Sequence, residues 1–269
     1  MNSKIIDLEG LKQAQLSILI AVHDFCVNNG INYFLAHGTL IGAVRHKGFI
    51  PWDDDIEIAM PRQDYDRFIS TFNGAYDYLK VLSYDTAKDY YYPIAKVYDN
   101  RTIMEENIVN TYPGMGINID IFPIDGIPDD TVEATAYLKR LKRWEKLREI
   151  KQVKVSSSRS WGRNFVLLLL RILLLPFTNR FLLSKIDKIV RSVPFGSTNY
   201  AGSIAYFTVM FRPVSVASFQ TTIDALFEGH LFKIPQGYDE WLRNIFGDYM
   251  QLPPEEKRVT HHVFKAYWK

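Results

Sequence analysis

Four acidic residues stand in aliphatic surroundings that do not suit unpartnered charge. Asp53, Asp55 and Glu57 come at every second position, with Ile56 and Ile58 between and after them, and Asp120 sits between Ile119 and Ile121. In a strand, residues two apart share a face, so the three acids would line one side while the isoleucines enter the core. Like charges converging in a cleft repel unless something neutralises them, and a hard cation such as Mg²⁺ prefers carboxylate oxygen. The spacing points to a metal held by Asp55, Glu57 and Asp120, with Asp53 on the same face. The other reading of the triplet is an exposed acidic turn following Pro51-Trp52.

Phosphate chemistry is suggested upstream. His37-Gly38-Thr39 turns a short strand into a helix, and the first N–H groups of that helix, at Gly38 and Thr39, suit a phosphate. Arg45, Lys47 and Lys96 are cations able to neutralise a diphosphate, Arg45 in bidentate fashion, although a solvated surface role is equally open to Lys47 and Lys96. Neither His37 nor His46 is given a chemical role, and His261-His262 lack partners at zinc spacing.

The elements that must position these groups follow from periodicity. Residues 8–27 have helical spacing and end at Asn28-Asn29-Gly30, 31–36 read as a strand, and 40–45 as a helix. Residues 55–60 form the acid-bearing strand, and Pro61 opens a helix. Strands are expected at 78–83, 91–98, 102–105 and 116–122, the last with Ile117, Ile119 and Ile121 alternating against Asn118 and Asp120. The fold class is α/β, a mixed β-sheet with helices. After Pro128 the pattern becomes helical and basic, the Ser156-Ser157-Ser158 stretch is linker-like, short strand-like pieces lie at 204–210 and 231–234, and a helix at 239–246 ends at Gly247. The expected organisation is a catalytic core at 1–127 and a mainly helical basic annex at 128–269 that completes the same globular unit.

The chain has 269 residues, 47% hydrophobic and 23% charged, which excludes disordered and linker-dominated classes. Its one cysteine, Cys26, cannot form an intramolecular disulfide, and Lys4, Asp7, Glu9 and Lys12 break up any secretory apolar run. The net charge of +2 hides an asymmetry: residues 139–191 hold 15 Lys and Arg against 3 Asp and Glu, a net +12, and the rest of the chain is at −10. Within that block, residues 165–177 are apolar except for Arg171 and Pro176, too short a helix for a hydrocarbon core of about 30 Å. Two readings fit: a helix lying in an anionic membrane interface, or a buried core helix. The sparse aromatics in the basic block argue against nucleic-acid binding.

A strand, a Gly-Thr turn, a helix, an acid-x-acid strand and a third acid on a later strand form the pattern of the nucleotidyltransferase superfamily. Residues 37–58, HGTLIGAVRHKGFIPWDDDIEI, resemble the signature of the LicD family, as do Met60-Pro61-Arg62, residues 119–125 and Gly247-Asp248-Tyr249-Met250 with Leu252-Pro253-Pro254. The resemblance implies a nucleotidyltransferase-like core and a transferase that moves phosphocholine from CDP-choline to a sugar hydroxyl of a cell-envelope glycan precursor, of teichoic acid or lipopolysaccharide and capsule type, releasing CMP. CDP-glycerol or CDP-ribitol as donor, or nucleotidyl transfer to a small molecule, are the alternatives. Catalysis would fall to Asp55, Glu57 and Asp120 with Mg²⁺ or Mn²⁺, and donor binding to Gly38, Thr39, Arg45, Lys47 and Lys96. Glu57 stands where many relatives carry Asp. The implied partners are a CDP-choline-type donor and a lipid-linked glycan acceptor, at the inner face of the cell membrane. A choline headgroup calls for π faces, and Trp52, Tyr90, Tyr91, Tyr92, Trp241, Tyr249 and Trp268 are the aromatics considered for it.

Overall fold

The first long element is built as its sequence demands. Asp7 caps it, accepting from the Gly10 N–H at 2.9 Å; it follows a two-residue strand, β1 (Ile5–Ile6), runs as α1 (Leu8–Asn29), and ends at Gly30 with φ 60°. A residue with a Cβ would be strained in that left-handed cap, where the Gly30 N–H reaches the Val27 carbonyl. Leu11, Ile18, Leu19, Val22 and Cys26 make its buried stripe, and Gln15 lies within that stripe. The structure is a computed structural model that describes residues 5–106, 112–153, 160–205, 214–259 and 264–269.

The chain continues through β2 (Phe34–Leu35) and α2 (His37–Ile41), which widens into an i→i+5 turn at Gly42–His46. Then come β3 (Glu57–Pro61), α3 (Arg62–Thr71), β4 (Leu79–Leu82), β5 (Ala95–Asp99), β6 (Thr102–Glu106) and β7 (Asn118–Ile127). The central sheet has the order β2-β3-β7-β5-β4; β3 and β7 run parallel and the other pairs antiparallel.

β7 is the spine, and Pro123 in its middle costs it nothing. The Asp120 N–H points to β3, where it meets the Ile56 carbonyl at 2.9 Å, so odd-numbered residues such as 123 turn their N–H side toward β5. On that side β5 pairs only with residues 118–121 and the next strand only with 125–127, so the missing proline donor falls in the gap between them.

After Pro128 the chain forms α4 (Thr131–Gln152), α5 (Trp161–Leu173) and α6 (Asn179–Val190). Leu141 of α4 and Leu183, Ile186 and Val190 of α6 pack into a second cluster around Ile127. The segment from 128, expected to be mainly helical with a strand-like piece at 231–234, is helical as far as Val190. Beyond it, β8 (Tyr200–Gly202) joins the far end of β7 and pairs with β9 (Val214–Ser215), and β10 (Thr222–Phe227) and β11 (His230–Pro235) form a hairpin. α7 (Tyr238–Phe246) ends at Gly247 as expected, and β12 (Phe264–Trp268) lies between β1 and β6. Strands of two to six residues are too short to show a period, so the sequence under-reports them. The Ser156-Ser157-Ser158 stretch, most of the 204–210 piece and His261-His262 lie outside the described residues.

An ion network, buried at its Arg62–Asp125 end, ties the layers. Arg62 at the start of α3 grips Asp125 of β7 through two bonds, Nε to Oδ1 at 2.7 Å and the terminal nitrogen to Oδ2 at 2.5 Å. Asp187 of α6 lies 3.8 Å from Arg62 and accepts from Arg191, which also binds Asp66 of α3 at 2.6 Å. The Tyr84 hydroxyl completes the network on Asp187 at 2.7 Å.

Candidate active site

Register places the acids. Glu57 of β3 and Asp120 of β7 are direct partners, and Asp120 is in turn the partner of Lys96 on β5, so an acid, an acid and a base form one row across three adjacent strands. Partners in register share a face. The Lys96 ammonium bonds the Asp120 carboxylate, reaches Asn118 Oδ1 at 3.1 Å and lies 4.8 Å from the Tyr92 ring. Asp55 enters from the loop before β3, and Asp55, Lys96, Asn118 and Asp120 line one small cavity of about 50 Å³, closed by Leu11 and Gln15 of α1, Met104 of β6 and Phe264 of β12.

The Gly-Thr turn braces this row. Gly38 N–H donates to Glu57 Oε2 at 2.9 Å, and Thr39 Oγ1 accepts the Glu57 N–H at 2.8 Å. A Cβ at Gly38 would come within 2.7 Å of Asp53 Oδ2 and 3.4 Å of Glu57 Oε2, so only glycine lets backbone and both carboxylates approach this closely. The turn therefore serves Glu57 directly in this arrangement.

Burial raises the Glu57 carboxyl well above the usual carboxylate range, and the nearby charges of Asp55, Asp120 and Asp53 push it the same way against the opposing Gly38 N–H. A divalent cation would relieve that repulsion, and hard carboxylate oxygens are the donors it prefers. Among the described residues no three acidic, imidazole or thiol groups close into a ready-made cage. Carboxylate oxygens are the donors that a cation of the magnesium type prefers, one or two of them completed by phosphate oxygens and water.

Two expected donor-binding residues, Arg45 and Lys47, have bonds of their own. The Arg45 guanidinium bonds His46 Nε2 at 2.9 Å and the Tyr249 carbonyl at 2.5 Å, pinning the segment after α7. Lys47 is exposed, with its ammonium 3.2 Å from the Val44 carbonyl. Of the aromatics considered for a headgroup, Tyr92 lies beside Lys96. Trp241 is buried against His37, Tyr249 hydrogen-bonds Asp239, Trp52 lies under Arg258 and Trp268 near Arg101.

Sequence reasoning passed over Gln15, whose amide donates to the carbonyls of Asp54 at 3.1 Å and Asn118 at 3.3 Å and so joins the two acid-bearing segments. A glutamine on the apolar stripe of α1 was its signal. Asn118 shared the Asp120 face by the same two-residue rule.

His37 supports the turn from below, buried between Phe122 and Trp241, with Nε2 3.2 Å from Ser203 Oγ. Burial pushes its imidazole down to about 3. The unfolded chain takes up this proton near the ordinary value of about 6.5 and the folded one does not, so stability from this residue is complete above that pH and is lost as pH falls toward 3. Thermal denaturation should show a loss of about 2 kcal/mol between pH 7 and pH 5 that His37→Asn removes, asparagine being non-titrating and tolerant of the φ of 42° found here. An unchanged pH slope in the variant would contradict this.

Comparison with known proteins adds an independent finding. The family described as LicD/FKTN/FKRP, nucleotidyltransferase domain, matches residues 30–144. The chain is 34% identical over 263 residues to the "Lipopolysaccharide cholinephosphotransferase LicD" of Haemophilus influenzae, covering 94% of each chain. An uncharacterized protein of Rickettsia prowazekii shares 48% identity over 42 residues, 16% of each chain.

Proposed function

The chain belongs to the LicD family, and on that premise we propose that it is an enzyme transferring phosphocholine from a CDP-choline donor to a sugar hydroxyl of a cell-envelope glycan precursor, with release of CMP. The relative named as a lipopolysaccharide cholinephosphotransferase, similar along nearly its whole length, supports the transferred group and the glycan class. The carrying observation is the row of Glu57, Asp120 and Lys96 with Asp55 beside it.

The acceptor oxygen forms a bond to the phosphorus bearing choline, and the bond from that phosphorus to the oxygen bridging it to the cytidylate breaks. The bridging oxygen leaves with CMP. Bound Mg²⁺ or Mn²⁺ would supply charge neutralisation of the diphosphate and lower the pKa of an oxygen it contacts. Asp55 and Glu57 would hold the cation, with Asp53 behind them at the Gly38 turn. Asp120 faces the acceptor and takes its hydroxyl proton, and Lys96 sets a positive charge next to the phosphate where negative charge develops. The Gly38 N–H fixes the Glu57 carboxylate and Thr39 Oγ1 fixes the Glu57 backbone, which keeps the reacting groups in line.

The test is to incubate the purified protein with CDP-choline, Mg²⁺ and a lipid-linked glycan extract and to follow nucleotides by mass spectrometry. CMP formation that chelation abolishes and added Mg²⁺ restores is expected. Release of CDP would instead show cleavage of the bond between choline carbon and phosphate oxygen, and would replace the reading with transfer of the alcohol without its phosphate.

A further inference from the structure

α5 is an apolar helix that the fold leaves uncovered. Of its large side chains only Leu167 is buried, whereas Trp161, Ile172 and Leu173 are 82%, 60% and 70% exposed. The surface continues beyond the helix through Leu175, 74% exposed, and the half-exposed Phe177 and Phe181. This excludes the buried-core reading of 165–177. A contiguous apolar surface of this kind has to be covered by a partner.

The charge around it selects the partner. Lys139, Arg140, Lys142, Arg143 and Lys146 are exposed along α4, and none has a carboxylate partner among the described residues. Arg163 is exposed on α5 itself and Lys188 on α6. Two copies meeting through this face would bring two segments of net +12 together, which self-association disfavours. Among the described residues no helix is long and apolar enough to cross a membrane. An apolar helix of 13 residues beside unpaired cations suits the interface of an anionic bilayer.

We propose that α5 and residues 175–181 form a lipid-docking surface for an anionic membrane. The fold holds it in place. Arg171 donates to the Ile150 carbonyl at 3.1 Å and to that of Val153, and Lys151 donates to the Phe177 carbonyl, so α5 and the turn after it are tied to the end of α4. Arg148 of α4 bonds the Tyr91 carbonyl at 3.3 Å, next to Tyr92 and in the segment that leads into β5 and Lys96. The docking surface is thus joined through α4 to the basic side of the acid row. That it presents a lipid-linked acceptor to this side rests on the proposed function; the docking itself does not.

Sedimentation of the full chain with vesicles tests it, using phosphatidylcholine alone and phosphatidylcholine with phosphatidylglycerol. The chain should bind the anionic vesicles at least tenfold more tightly than the neutral ones. Lys142→Glu/Arg143→Glu/Lys146→Glu should weaken that binding roughly a hundredfold or more. Ile172→Glu/Leu173→Glu, at exposed positions, should abolish it while circular dichroism and CMP release with a soluble saccharide acceptor stay unchanged. Equal binding to both vesicle types, or full binding by the Ile172→Glu/Leu173→Glu variant, would overturn the proposal. So would a dimer of the wild-type chain in analytical ultracentrifugation that this variant dissolves. The binding and ultracentrifugation readouts do not depend on the identity of the donor, so they stand or fall apart from the proposed reaction.

Discussion

Asp55→Asn is expected to lower the transfer rate by about 10²–10³-fold while the melting temperature stays the same or rises. Asp55 lines the cavity with Asp120 and is the largest of the charges raising the buried Glu57 carboxyl. A carboxyl raised by its neighbours favours its neutral form in the fold, so its contribution to stability is present at low pH and lost as pH rises through its folded value. Removing one neighbouring charge lessens that loss at neutral pH. The same charge is what a cation and a diphosphate require, so the substitution separates catalysis from folding. Melting curves with and without Mg²⁺, read beside the rate, check it: wild type should gain stability from Mg²⁺ and the variant much less. A variant that is both unstable and inactive would assign Asp55 a structural role.

Asp125→Asn should act in the opposite way, costing about 3 kcal/mol of stability because it removes the carboxylate that grips the buried Arg62 guanidinium and leaves it only Asp187 at 3.8 Å. Asp125 is 1% exposed and Arg62 8%. For a chain of this size that corresponds to a fall of roughly 10 °C in melting temperature. Replacing both partners, Arg62→Met with Asp125→Leu, should recover most of the loss, since two apolar side chains carry no uncompensated charge. Chemical denaturation of the three variants decides it. If Asp125→Asn melts with wild type, the Arg62 to Asp125 grip does not hold α3 against β7.

Both residues were visible in the sequence as parts of a resemblance, Met60-Pro61-Arg62 and residues 119–125, but nothing in their spacing said that they pair. They are 63 positions apart, and only the strand order that sets β7 beside β3 brings them together. The row proposed to carry the reaction was more legible, because period-two alternation fixes the face of Glu57 and Asp120 whatever the sheet order. Lys96 was visible as a cation on a strand, and its contact with Asp120 needed β5 to run antiparallel to β7 in one particular register. Arg45 has a partner that local reading does not reveal. It follows the Gly-Thr helix closely in sequence, yet its guanidinium turns to the carbonyl of Tyr249, 204 residues later. β6 was legible as a strand at 102–105, but its pairing with β12, at Lys265 and Glu105 for example, joins distant parts of the chain and had no local signal.

The most direct measurement is the mass of the acceptor after reaction with CDP-choline and Mg²⁺. Attack on the phosphorus bearing choline adds phosphocholine to the glycan and frees CMP, and that product, absent with Asp55→Asn, is the result expected. A glycan carrying cytidylate, with phosphocholine set free, would show attack on the other phosphorus and contradict the assignment of the acceptor to the Asp120 side of the row.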